Sequence, residues 1–145
     1  MSARLYFDVG SPYVYLALER LERFDLGEVE LRVISLGALF KLTGRCSWAR
    51  TARRAMGMAE VEARASAYGL PPLRWPEGWP GNNLHADRAC LVAEEQRALE
   101  QFARAALRAA FTRGIDLSDD AAVFEIAQTV GLDADHVRER IEGGR

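Results

Sequence analysis

Leu5-Tyr6-Phe7-Asp8-Val9-Gly10-Ser11-Pro12-Tyr13-Val14-Tyr15-Leu16-Ala17 is the stretch whose reading decides the fold. An apolar, aromatic run meets a Gly-Ser-Pro turn and then continues with helical periodicity. Tyr13, Leu16, Ala17, Leu21 and Phe24 recur at i, i+3, i+4 spacing, and Glu19, Arg20, Glu22 and Arg23 take the other side. Ser11 is a preferred N-cap, and Pro12 at the first helical position gives up no helical hydrogen bond. The unit is a strand over residues 4–9, a tight turn, and a helix over roughly 12–24. A hydroxyl sits at the helix mouth, where unpaired N–H groups and the helix dipole favour an anion. On spacing alone, Ser11 reads as a helix cap.

Downstream, Asp25-Leu26-Gly27 breaks the helix, and Val29, Leu31 and Val33 alternate with Glu30 and Arg32 as a second strand. Strand, helix and strand at this length predict a right-handed parallel unit. Leu36 to Gly44 follows as a short helix with a glycine stop. Met58, Val61, Ala65 and Tyr68 mark the apolar face of another helix, ended by Gly69-Leu70-Pro71-Pro72. Residues 71–83 hold four of the five prolines and the repeated Trp75-Pro76 and Trp79-Pro80. They read as a loop, either a flap covering the core or a lid over a flat substrate. Asn82 or Asn83 caps the next helix, over about 84–97. A stripe from Leu99 to Phe111 forms another, stopped by Arg113-Gly114. Ser118 starts a helix with Val123, Ile126, Ala127 and Val130 inward, and Asp133 caps a last one carrying Val137 and Ile141. No strand is expected after residue 36.

At 145 residues the chain is expected to be one domain with a sizeable core, 49% hydrophobic and 28% charged. A net charge of -2 argues against nucleic acid as the main partner, while Arg45, Arg50, Arg53 and Arg54 leave room for a small anionic ligand. No run is long enough to span a bilayer, and the N-terminus lacks a signal-peptide core. Cys46 and Cys90 match neither a metal site nor a Cys-Xaa-Xaa-Cys pair, so both are expected to be reduced thiols in a cytoplasmic protein. Simple thiol–disulfide exchange needs an attacking and a resolving thiol and is disfavoured. His85 and His136 lack partners at metal-ligand spacing.

The opening run resembles that of the 2-hydroxychromene-2-carboxylate isomerases, which belong with the kappa-class glutathione transferases and the DsbA-like branch of the thioredoxin superfamily. Leu36-Gly37-Ala38-Leu39-Phe40 with Thr43-Gly44, Tyr68-Gly69-Leu70-Pro71, Pro80 to Ala89, Phe111 to Asp119 and Val130-Gly131-Leu132-Asp133 resemble further family phrases in the same order. The resemblance implies an α/β fold. Residues 1–36 would form a thioredoxin-like βαβ unit and residues 37–145 a mainly helical insertion, within one DsbA-like domain. Against the family pattern the chain is expected to be a C-terminally shortened form without the usual returning strands, and a second copy of the chain would be one way to cover the exposed edge.

The resemblance also implies glutathione, or another low-molecular-weight thiol, as cofactor. Ser11 stands at the family's thiolate-stabilising position, with Val14 where a resolving cysteine would be. The physics fits, because a hydroxyl and a helix N-terminus both favour a thiolate. Pro12, Tyr13 and Asn82 are further binding candidates. Arg53 or Arg54 takes the place of a family lysine, keeping the charge but not the compact ammonium. The implied reaction is glutathione-assisted isomerisation of an unsaturated, aromatic-derived acid. The alternatives are a transferase or redox protein of the same fold, and a non-catalytic helical interaction module.

Overall fold

The computed structural model describes residues 3–143. Its elements are β1 (Ala3–Phe7), α1 (Pro12–Glu19), β2 (Val29–Val33), α2 (Leu36–Thr43), α3 (Arg54–Ala67), α4 (Leu84–Glu95), α5 (Leu99–Arg113), α6 (Asp120–Thr129) and α7 (Ala134–Glu142). Short 3-10 turns lie at Leu21–Arg23 and Trp48–Arg50. β1 and β2 pair in parallel, with Ala3 opposite Val29 and Phe7 opposite Val33. They are the only strands among the described residues. Alternation sets the faces: Leu5 and Phe7 turn toward the core, and Arg4 and Tyr6 are exposed. Glu30 bridges Arg4 and Arg32 on the outer side of the sheet.

α1 departs from the spacing-based reading in two ways. It ends at Glu19 rather than near residue 24. Its buried residues are Pro12, Tyr15, Leu16 and Leu18, whereas Tyr13 is 38% and Phe24 47% exposed. The cause is tertiary. α1 packs against both α3 and α5, so it is covered over a wide arc rather than along one stripe. Arg104 of α5 also donates to the Leu18 carbonyl at 2.6 Å, taking up one acceptor at the end of the helix.

α5 forms the spine of the core. It buries Leu99, Phe102, Ala103, Ala106, Leu107, Ala109, Ala110 and Phe111. The small alanines let α1, α4 and α6 approach closely, and α7 closes the bundle against α4. Asp133 caps α7 as expected, accepting from the Asp135 and His136 N–H groups. α6 is capped by Asp119, not started by Ser118, whose hydroxyl donates instead to Asp116. No helix among the described residues is long and apolar enough to cross a membrane.

Candidate active-site cleft

Parallel strands deliver the turns at their carboxyl ends to one edge of the sheet, the place where open α/β folds carry sites. Here Gly10-Ser11 follows β1 and Ser35 follows β2. The two turns are tied by a single side chain. Asp8 accepts the Gly10 N–H through Oδ1 and the Leu36 N–H through Oδ2, both at 2.8 Å. Gly10 has a steric reason to be glycine, since a Cβ there would fall 1.9 Å from Asn83 Nδ2.

In front of these turns lies a cleft of roughly 790 Å³. Ser11, Pro12 and Tyr13 form one wall, and Trp48 and Trp79 another. α2 contributes Lys41, the following loop contributes Cys46 and Arg50, and Asp8 and Asp87 belong to the lining as well. The aromatic wall is continuous: Tyr13 meets Trp48 edge-on at 6.3 Å, Trp48 meets Trp79 at 5.7 Å, and Trp79 meets Trp75 at 4.7 Å. The 71–83 loop thus both covers the core and walls the cleft. The Trp79 indole donates to the Gly10 carbonyl at 3.4 Å, and the Trp79–Pro80 peptide is cis. Gly57 of α3 makes room for the Trp48 ring, because a Cβ there would sit 2.3 Å from it.

Ser11 holds the N-cap position of α1 with extended backbone, yet its side chain makes no capping hydrogen bond. Its hydroxyl is therefore free of the job that spacing assigned to it, at a helix mouth that opens on the cleft. Pro12, Tyr13 and Asn82 share this lining, but Arg53 and Arg54 do not. Arg54 is spent on the Trp79 carbonyl, at 2.7 Å from Nη2. Arg53 sits at the α3 N-cap without a side-chain capping bond. Arg50 and Lys41 are the cleft's basic residues. Lys41 was not singled out by the sequence reading, and Arg50 only as part of a basic cluster. Asn82, not Asn83, provides the capping oxygen at α4, accepting from the Leu84 N–H at 3.0 Å.

The two carboxyls of the lining were missed as a pair. Asp87 projects from α4, and its Oδ1 accepts the Val9 N–H at 3.3 Å. Its Oδ2 is buried without a hydrogen-bond partner. Burial, and then the neighbouring Asp8 charge, push the Asp87 carboxyl up to about 9. Cys90, one turn further along α4, is fully buried, and burial pushes its thiol up as well. That makes it an inert packing residue, in contrast to exposed Cys46. Among the described residues no group of His, Cys, Asp or Glu is arranged to hold a metal ion.

A parallel βαβ unit that presents a helix N-terminus to a cleft, with helices after its second strand, fits the thioredoxin-like class of proteins. The chain belongs to the DSBA-like thioredoxin domain family, whose model matches residues 4–145. Two solved structures share its fold. One is a 2-hydroxychromene-2-carboxylate isomerase, with TM-score 0.79 and 19% identity, covering 98% of this chain and 71% of that one. The other is a probable DsbA oxidoreductase from Streptomyces coelicolor, with TM-score 0.74 and 25% identity, covering 96% of this chain and 66% of that one. The chain thus spans about two thirds to seven tenths of their length. No curated protein sequence matches it.

Proposed function

We propose that the cleft binds a low-molecular-weight thiol of the glutathione class, and that Ser11 holds its sulfur as the thiolate. The observation that carries this reading is the uncommitted Ser11 side chain: an N-cap serine that caps nothing and opens on the cleft. Its hydroxyl can donate to the sulfur, and the α1 dipole adds to that stabilisation. Lys41 and Arg50 supply positive charge for the ligand's carboxylates. The Tyr13–Trp48–Trp79 wall offers an apolar, aromatic surface of mutually inclined rings to an unsaturated, aromatic-derived acid. The thiolate adds to that substrate, a single bond rotates, and the thiolate is expelled, so that the net change is an isomerisation. The likeness to the isomerase structure supports this choice among reactions of the fold.

The test is calorimetric titration with glutathione and with S-methylglutathione. The free thiol should bind the wild type more tightly than the methylated one, and Ser11→Ala should erase that preference. Equal affinities in the wild type would refute a role for the sulfur. A second reading, thiol–disulfide redox chemistry, is favoured by one observation: exposed Cys46 lines the same cleft. Reaction with a low-molecular-weight disulfide that is abolished by Cys46→Ser, without isomerase turnover, would select it.

A further inference from the structure

The thiol reading gives Ser11 a task but leaves a second polar side chain beside it without one. The serines and asparagines of the cleft lining are Ser11, Ser35, Ser47, Asn82 and Asn83. Three of them are taken up by the backbone: Ser35 accepts the Ala38 N–H, Ser47 the Ala49 N–H and Asn82 the Leu84 N–H. The remaining two, Ser11 and Asn83, hold the N-cap positions of α1 and α4, and neither side chain caps its helix. Serine and asparagine are favoured at these positions because they cap. Two that do not, on one cleft, leave their hydrogen-bonding groups to whatever the cleft holds.

Close contact places Asn83. Its amide lies against Gly10, where a Cβ would stand 1.9 Å from Nδ2 and 2.9 Å from Cγ. Any residue but glycine at that position would push the amide away, so the Gly10-Ser11 turn and the Asn83 side chain share one fit. Asn83 is half-buried. With Gly10, Trp79 and Gly81 it also borders a smaller cavity of roughly 160 Å³, so it stands on a partition with open space to either side. The group is neutral and planar, and carries a carbonyl acceptor beside two N–H donors. A peptide bond, which presents one C=O and one N–H, is its complement.

We infer that Asn83 binds the peptide amide next to the sulfur of the thiol held at Ser11, and so selects cysteinyl-peptide thiols over simple ones. This rests on the thiol reading above. In a cysteinyl peptide only the Cβ methylene separates the sulfur from Cα, and the peptide N–H and C=O are attached there. A sulfur at Ser11 therefore brings those groups beside the residue that precedes Ser11, which is the residue Asn83 touches. Nδ2 donates to the ligand carbonyl, and Oδ1 accepts a ligand N–H. Because this contact is neutral, it adds to the pull of Lys41 and Arg50 on the ligand's carboxylates and does not compete with it. A thiol without a peptide group keeps the Ser11 contact and gains nothing from Asn83.

The test compares glutathione with 3-mercaptopropionate, which keeps a thiol and a carboxylate but has no peptide group. In calorimetric titration of the full chain, Asn83→Leu, similar in shape but without polar atoms, should raise the glutathione Kd about tenfold. The 3-mercaptopropionate Kd should not change. Equal weakening of both thiols would mean that Asn83 only shapes the turn, and would overturn the proposal. Should Asn83→Leu fold poorly, the wild type answers directly. The nitrogen-15 NMR signals of the Asn83 side-chain amide should shift on saturation with glutathione and much less with 3-mercaptopropionate. Signals that ignore glutathione, or that move equally with both thiols, overturn it. Equal binding of free and S-methylated glutathione sinks the thiol reading and this proposal with it. If Ser11→Ala erases the preference for the free thiol while Asn83→Leu leaves the glutathione Kd unchanged, only the assignment to Asn83 falls.

Discussion

α5 and α2 are both apolar helices, and they do opposite work. α5 buries eight residues along its length and packs against α1, α4 and α6. α2 buries none, and its Leu42 is 85% exposed. The helical half is a packed scaffold. The strand-and-turn half is thinly covered, held at its functional edge mainly by backbone-to-carboxylate hydrogen bonds through Asp8 and Asp87. The contrast teaches that hydrophobicity in α2 does not signal core. Most of the buried core lies in residues 84–143, with Phe7, Val9, Tyr15, Leu16, Leu18 and the cleft-wall Trp79 joining it from the first half.

The sharpest way to break this comparison is to truncate one side chain in each half. Phe102→Ala in α5 should cost about 3–5 kcal/mol, because it removes a fully buried ring from the core. Leu42→Ala in α2 should stay within about 0.5 kcal/mol. Chemical denaturation of both variants decides the matter, and equal losses would show that α2 packs where the structure leaves it open.

A second substitution probes the seam between the halves. Gly57→Ala improves helix propensity by about 1 kcal/mol. It also places a Cβ 2.3 Å from the Trp48 ring. Overpacking typically costs about 1–3 kcal/mol, so the clash should win, lowering Tm and changing Trp48 fluorescence. A rise in Tm would mean that the cleft wall yields freely.

Folding raises the Asp87 carboxyl from an ordinary 3.8 to about 9, so the folded chain binds the extra proton between those values. Its contribution to stability is complete below 3.8 and is lost as pH rises through the folded value, at a slope of at most about 1.4 kcal/mol per pH unit. Asp87→Asn should remove that slope, as read from urea midpoints across the range. A small effect is expected for His85→Ala, which breaks a half-exposed tie between α4 and α6 worth about 0.2–1 kcal/mol near neutral pH.

Much of this architecture was legible in the chain. Alternation at Val29–Val33 and the Gly-Ser-Pro turn announced the parallel unit, and the Leu99–Phe111 stripe announced α5. The buried face of α1 was not legible, because periodicity assumes one covered side and this helix has two. Within the cleft, Ser11 could be singled out from its place in the turn. The Asp8–Asp87 pair could not, since the two residues lie on distant segments and each alone looks like an ordinary surface acid. Gly57, a glycine inside a helix, was the only sequence hint that a ring packs against α3.

The central claim is that Ser11 serves a ligand and not the helix. The cap reading predicts a loss of about 1 kcal/mol for Ser11→Ala. The missing capping bond predicts almost none. The most direct measurement is therefore glutathione thiolate absorbance, titrated against wild type and Ser11→Ala with unfolding followed on the same samples. Saturable thiolate formation in the wild type, its loss in the variant, and unchanged stability are the predicted result. A destabilised variant that ionises the thiol as well as the wild type would contradict it.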